Sequence, residues 1–243
     1  MMCAFGTQAR RRVRLGAVLV VMAALASGSA ARAMQFKLVG DVLVMSGPVV
    51  GDDLARLKDS FATDRVKLIL LHNSPGGDLW NGMQLAQRIR DKGLPTAVSG
   101  TCESACGLIY LGGVERSFSD GSPLSMTKVG LHGARHVDTR RAMPEMGARL
   151  AYLIRTFTDD KYPRDLLDRT VYPKDPSDIV YAFHPRGYPA AAGPRGVLQC
   201  LKQPDTRFKC TMIEGLDAIA IGVLTNPEVL ALSDDVKAAL VRP

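Results

Sequence analysis

Residues 66–80 read "VKLILLHNSPGGDLW", and this stretch decides the fold. The part from Val66 to Leu71 is an apolar run of strand length, suited to a strand covered on both faces. A proline and two glycines then lead into "DLWNGMQLAQRIRDKG", where Leu79, Met83, Ala86 and Ile89 form one helical stripe and Gly93 marks the stop. A buried strand passing through glycines into a helix opens a parallel β/α unit. Gly76 and Gly77 imply something further: with no side chains in the way, their N–H groups can approach an anionic centre.

Working outward, "FKLVGDVLVMSG" (36–47) alternates around Gly40-Asp41 as a hairpin would, and "GDDLARLKDSF" places Leu54, Leu57 and Phe61 at helical spacing. After the first unit, "LPTAVSG" predicts a strand, "SACGLIYLGG" a buried helix and "PLSMTKVGLHGA" another strand. A helix follows from Pro144 to Phe157, with Met146, Leu150, Leu153 and Phe157 on one face. Residues 184–211 are rich in Pro and Gly and lack periodicity, which predicts an irregular insertion; regular structure resumes at "MIEGLDAIAIGVL". Alternating strands and helices predict an α/β fold with a two-sided sheet. With 243 residues, 47% of them hydrophobic, the chain is expected to form a single domain over 34–243.

The net charge of +7 suggests a polyanionic partner until the arginines are located. Arg10, Arg11, Arg12, Arg14 and Arg32 all precede Met34, and without them 26 basic residues face 24 acidic ones, a net of +2. Nucleic acid then has no electrostatic argument. The basic start, the apolar run from Leu15 to about Ala26 and the small residues ending Ala31-Arg32-Ala33 are the layout of a cleavable secretory signal over 1–33. The apolar run is short of the roughly 20 residues a membrane span needs, so no lasting membrane anchor is expected. The chain is therefore expected to be periplasmic or secreted.

Cysteines of an exported chain are disulfide candidates first. Of the three connectivities open to the four beyond the leader, local pairing of Cys102 with Cys106 and of Cys200 with Cys210 assumes no long-range geometry. Neither pair has the C-x2-C spacing of a zinc site, and P-loop and dinucleotide glycine patterns are absent, so no metal or cofactor is expected.

Ser104 lies where a strand hands over to a helix. A serine there reads as an N-cap when taken alone, although free N–H groups at that point also favour a developing negative charge. Of the four histidines, His132 follows a strand end that can aim a side chain into a crevice, although taken alone it too reads as structural; His72, His136 and His184 read as structural or surface residues. A hydroxyl, an imidazole and a glycine step are the parts of an acyl-transfer site.

"NSPGG" before a helix, "CESAC" opening the next and "VGLHGA" after it resemble the Clp-type serine peptidases and their crotonase-fold relatives, over about Val66 to His132 and more weakly to Leu224. The resemblance implies stacked ββα units; the disulfide-stapled insertion at 184–211 departs from the family's pattern and is able to cover the site. It implies Ser104 as nucleophile, His132 as base, and Gly76, Gly77 and Ala105 as oxyanion donors. The family's acid falls in "YPKDPSDIVYAF", which implies Asp178, with Asp175, Asp168 or no acid at all as alternatives. The implied activity is that of an exported serine peptidase or hydrolase acting on peptide or protein. The alternative is a non-catalytic module that binds a peptide or partner in the same groove. Family members often form rings, so a homo-oligomer is a further expectation.

Overall fold

The computed structural model describes residues 33–136, 138–186 and 196–241. The expected leader, apart from Ala33, and residues 187–195 of the expected insertion lie outside them. The chain enters through the expected hairpin, β1 (Gln35–Val39) and β2 (Val42–Ser46). Next to β2 runs β3 (Leu68–Ser74), then β4 (Thr96–Glu103), all three parallel. Where the sequence pattern predicts one helix before β3, there are two short ones, α1 (Asp53–Arg56) and α2 (Lys58–Ala62), jointed at the buried Leu57. The helix α3 (Leu79–Asp91) follows the glycine step and is capped by Asp78, whose carboxylate accepts the Asn81 N–H at 2.6 Å.

The strand β4 changes neighbour midway. Its first half, Thr96–Val98, pairs with β5 (Arg116–Phe118), and its second, Thr101–Glu103, with β6 (Lys128–Leu131). Beyond β6 the sheet continues antiparallel through β7 (Ile179–Phe183), β8 (Val197–Lys202) and β9 (Phe208–Met212). Among the described residues the sheet has nine strands. The helix α4 (Ala105–Leu111) is buried along its whole length. The predicted helix at 144–157 is a 3-10 turn (Pro144–Met146) leading into α5 (Gly147–Phe157), which buries Leu150, Leu153 and Phe157 as expected. Two helices were not anticipated, α6 (Arg164–Val171) and α7 (Asp234–Val241).

Both local disulfides are present, Cys102–Cys106 and Cys200–Cys210. The described part of the expected insertion is more regular than its composition suggests, because Cys200 and Cys210 face each other across a β8–β9 hairpin. Conversely, 213–224, where regular structure was expected to resume, forms turns. Asp217 accepts the N–H groups of Ile219 and Ala220, and Gly215 and Gly222 take left-handed conformations (φ 74° and 71°).

Candidate active site

Ser104 is the single residue between β4 and α4, and its backbone is strained, with φ 59° and ψ −124°. Such a conformation in a non-glycine residue costs on the order of 1–3 kcal/mol and persists only where its surroundings enforce it. Here the Ser104 N–H donates to Gly130 O at 2.8 Å, and the fully buried Cys102–Cys106 bridge spans the turn. The hydroxyl makes no capping bond, so capping does not account for this serine.

The parallel ladder sets Glu103 beside Gly130, which carries the next strand end, and His132 just past it, to the same edge of the sheet. His132 Nδ1 lies 2.6 Å from Gly133 O. A carbonyl only accepts, so Nδ1 bears the proton and Nε2 the lone pair. Nε2 is buried and has no partner among the described residues. Burial, and next the Arg135 charge, pull the imidazole down to about 4, with Arg140 adding and Gly133 O and Glu103 opposing. The ring is neutral at pH 7. No hydrogen bond joins it to Ser104 Oγ, but both residues line one cleft of about 290 Å³.

The glycine step forms the facing wall. Val49 N–H donates to Gly76 O at 2.8 Å and Asp78 N–H to Val49 O at 2.9 Å, which pins the step. A methyl group on Gly76 would lie 2.6 Å from Ser104 Cβ and 2.8 Å from Ala105 N, so the step and the serine turn are in direct contact. Gly76 N–H is engaged by Ser74 Oγ at 3.3 Å. The N–H groups of Gly77 and Ala105 have no acceptor among the described residues. Two of the three expected donors are therefore available.

The expected acid is placed differently. Asp178 Oδ1 accepts the Lys202 N–H at 2.8 Å and Oδ2 the Asp175 N–H at 3.1 Å, so both oxygens are spent on backbone. The alternatives do not replace it: Asp175 accepts the Ser177 N–H at 2.8 Å, and Asp168 lies on an exposed face of α6. Among the described residues no aspartate hydrogen-bonds the imidazole, and Gly133 O occupies that position. The acid whose field reaches His132 is Glu103, itself held by Tyr181 Oη at 3.0 Å and Lys128 Nζ at 3.3 Å. Sequence reasoning missed Glu103, Arg135 and Arg140, all of which line the cleft. The signal for the arginines was the basic run "HGARHVDTRR", which begins at His132. His72, bonded to Ser99 O at 3.0 Å, and His184, bonded to Pro227 O at 3.0 Å, have structural roles, while His136 is exposed.

No model of a known protein family matches the chain. No curated protein matches it in sequence either. Among solved structures, ClpP1 from Listeria monocytogenes is similar at a TM-score of 0.48 and 13% identity, over 80% of this chain and 93% of that one. An enoyl-CoA hydratase/isomerase from Marinobacter aquaeolei gives 0.45 and 11%, over 86% and 74%. A membrane-bound stomatin-specific protease gives 0.39 and 15%, over 55% and 71%. The chain's own strand order and its glycine step against the serine-led helix carry the fold assignment. The fold is mixed α/β, with parallel β/α units continued by antiparallel strands in one sheet.

Proposed function

We propose that this chain is an exported serine hydrolase, a peptidase, with Ser104 as nucleophile and His132 as base. One observation carries the proposal: a serine in a strained turn, its hydroxyl free of any cap, lines one cleft with a histidine whose Nε2 bears a lone pair and has no partner among the described residues. Ser104 Oγ attacks a peptide carbonyl carbon while its proton passes to Nε2. The resulting oxyanion accepts the N–H groups of Gly77 and Ala105. The C–N bond then breaks, the imidazolium returns the proton to the leaving amine, and water hydrolyses the acyl-enzyme by the same steps. Gly133 O and the Glu103 field support the imidazolium in place of an aspartate. An unmade Ser–His bond is common in unliganded hydrolases and closes when substrate binds. The leader sequence and the two disulfides support a periplasmic or secreted location.

A second reading, a non-catalytic peptide-binding groove, is favoured by the missing carboxylate on Nδ1. A fluorophosphonate probe separates the two. The hydrolase reading expects labelling of the wild-type chain, none of Ser104→Ala, and loss of peptide turnover in that variant with its fold intact. Wild-type protein that neither reacts with the probe nor cleaves an unstructured peptide would leave the binding module as the correct reading.

A further inference from the structure

The cleft that holds Ser104 and His132 also holds two arginines without a carboxylate partner. Arg135 and Arg140 stand on a short ribbon after His132, closed by the bridge between Arg135 and Ala142 and by a 2.8 Å bond from His136 N–H to Arg141 O. The guanidinium of Arg135 is partly buried and is steered by one bond, from Nη1 to Pro176 O at 3.3 Å. Among the described residues, neither arginine has an acid within ion-pair distance. The acid that lines the cleft with them, Glu103, is already paired with Lys128 and Tyr181. Burial first, and then the charge of Arg140, disfavour the charge on Arg135, with Glu103 and Asp175 opposing, while Arg140 itself is exposed. Two like charges lining one cleft with Ser104, with no ion-pair partner among the described residues, suit a ligand that brings the compensating charge.

We propose that Arg135 and Arg140 form an anion subsite of the cleft and select peptides that carry a carboxylate beside the scissile bond. The carboxylate comes from an acidic side chain or from the peptide's own C-terminus. The subsite rests on the reading of this cleft as the peptide site. It also links binding to chemistry: a carboxylate that neutralises Arg135 and Arg140 removes the two charges that oppose protonation of His132, so the base strengthens when such a substrate is bound.

Binding to Ser104→Ala tests the subsite without turnover. Matched blocked peptides differing only in Glu or Gln at one position, and unblocked peptides with free or amidated C-termini, would be titrated by calorimetry at low and high salt. A carboxylate should improve affinity about tenfold at low salt, and less at high salt, where the charges are screened. The Glu/Gln pair and the free/amidated pair identify which carboxylate is read. Adding Arg135→Gln and Arg140→Gln to the same background should erase the preference, so that charged and neutral members of each pair bind alike. Equal affinity for charged and neutral members, or a preference that survives the double substitution, overturns the proposal. Fluorophosphonate labelling of chains that keep Ser104 reports the nucleophile separately. Labelling with no carboxylate preference sinks the subsite alone, and a carboxylate preference without labelling sinks the hydrolase alone.

Discussion

The carbonyl of Gly133 stands where a triad would put a carboxylate, and that exchange sets the pH behaviour of the site. A carboxylate would raise the imidazole, whereas here burial and then Arg135 leave it at about 4. In the hydrolase proposed above His132 must be neutral to accept the Ser104 proton, so kcat/KM should rise as pH increases through about 4 and then stay level across neutral pH. Arg135→Gln removes a lowering influence and should move that acid limb upward, toward the ordinary histidine value of about 6.5. A pH–rate profile of both proteins with a neutral peptide checks this, and a wild-type limb near 6.5 would contradict it. Ser104 and His132 were legible in the sequence because each follows directly from a strand end that hydrophobic patterning marks. The protonation state was not, since it depends on a one-residue backbone turn at Gly133 and on a ribbon whose arginines meet His132 only in three dimensions.

At the level of elements, Asp178 shows why the third residue was misread. It precedes β7, as the sequence implied, but its carboxylate ties two other segments together: Oδ1 holds the Lys202 N–H at the end of β8, and Oδ2 holds the turn at Asp175. The hairpin of β8 and β9 that it anchors could not be read from composition, because prolines and glycines on its flank mask two short strands. Their pairing is set by the Cys200–Cys210 register rather than by periodicity. Asp178→Ala leaves two amide donors without acceptors and should lower stability by about 2 kcal/mol or more. Turnover per folded molecule should not change, whereas loss of a true triad acid would reduce kcat by about 10⁴. Denaturant titration combined with kinetics distinguishes the outcomes, and a collapse of kcat at unchanged stability would restore Asp178 to the catalytic site.

Across the whole molecule, the part of the chain that closes the fold is held by a buried cation that resembles a surface residue in sequence. Arg116, in "GGVERSFSD", is 1% exposed. It donates from Nε to Val223 O at 3.1 Å, from Nη1 to Gly113 O at 2.6 Å and from Nη2 to Gly222 O at 2.8 Å. Its own backbone receives Thr225 and Asn226 N–H at 3.1 Å each, so one residue of β5 fastens the segment 222–226. Burial draws the guanidinium down to about 10, still protonated at neutral pH, and carbonyl dipoles provide all of its side-chain hydrogen bonds. A motif-based reading passes over such a clamp because two of its three acceptors are main-chain atoms more than 100 residues away. The clamp also binds a region that shares no lining residue with the cleft of Ser104 and His132. Arg116→Met keeps much of the bulk and strips the three carbonyls of their donors, at about 1–3 kcal/mol for each. A stability loss of about 3 kcal/mol or more is expected in equilibrium unfolding, with fluorophosphonate labelling per folded molecule unchanged. Loss of labelling in a variant that remains fully folded would show that the clamp reaches the site through the sheet.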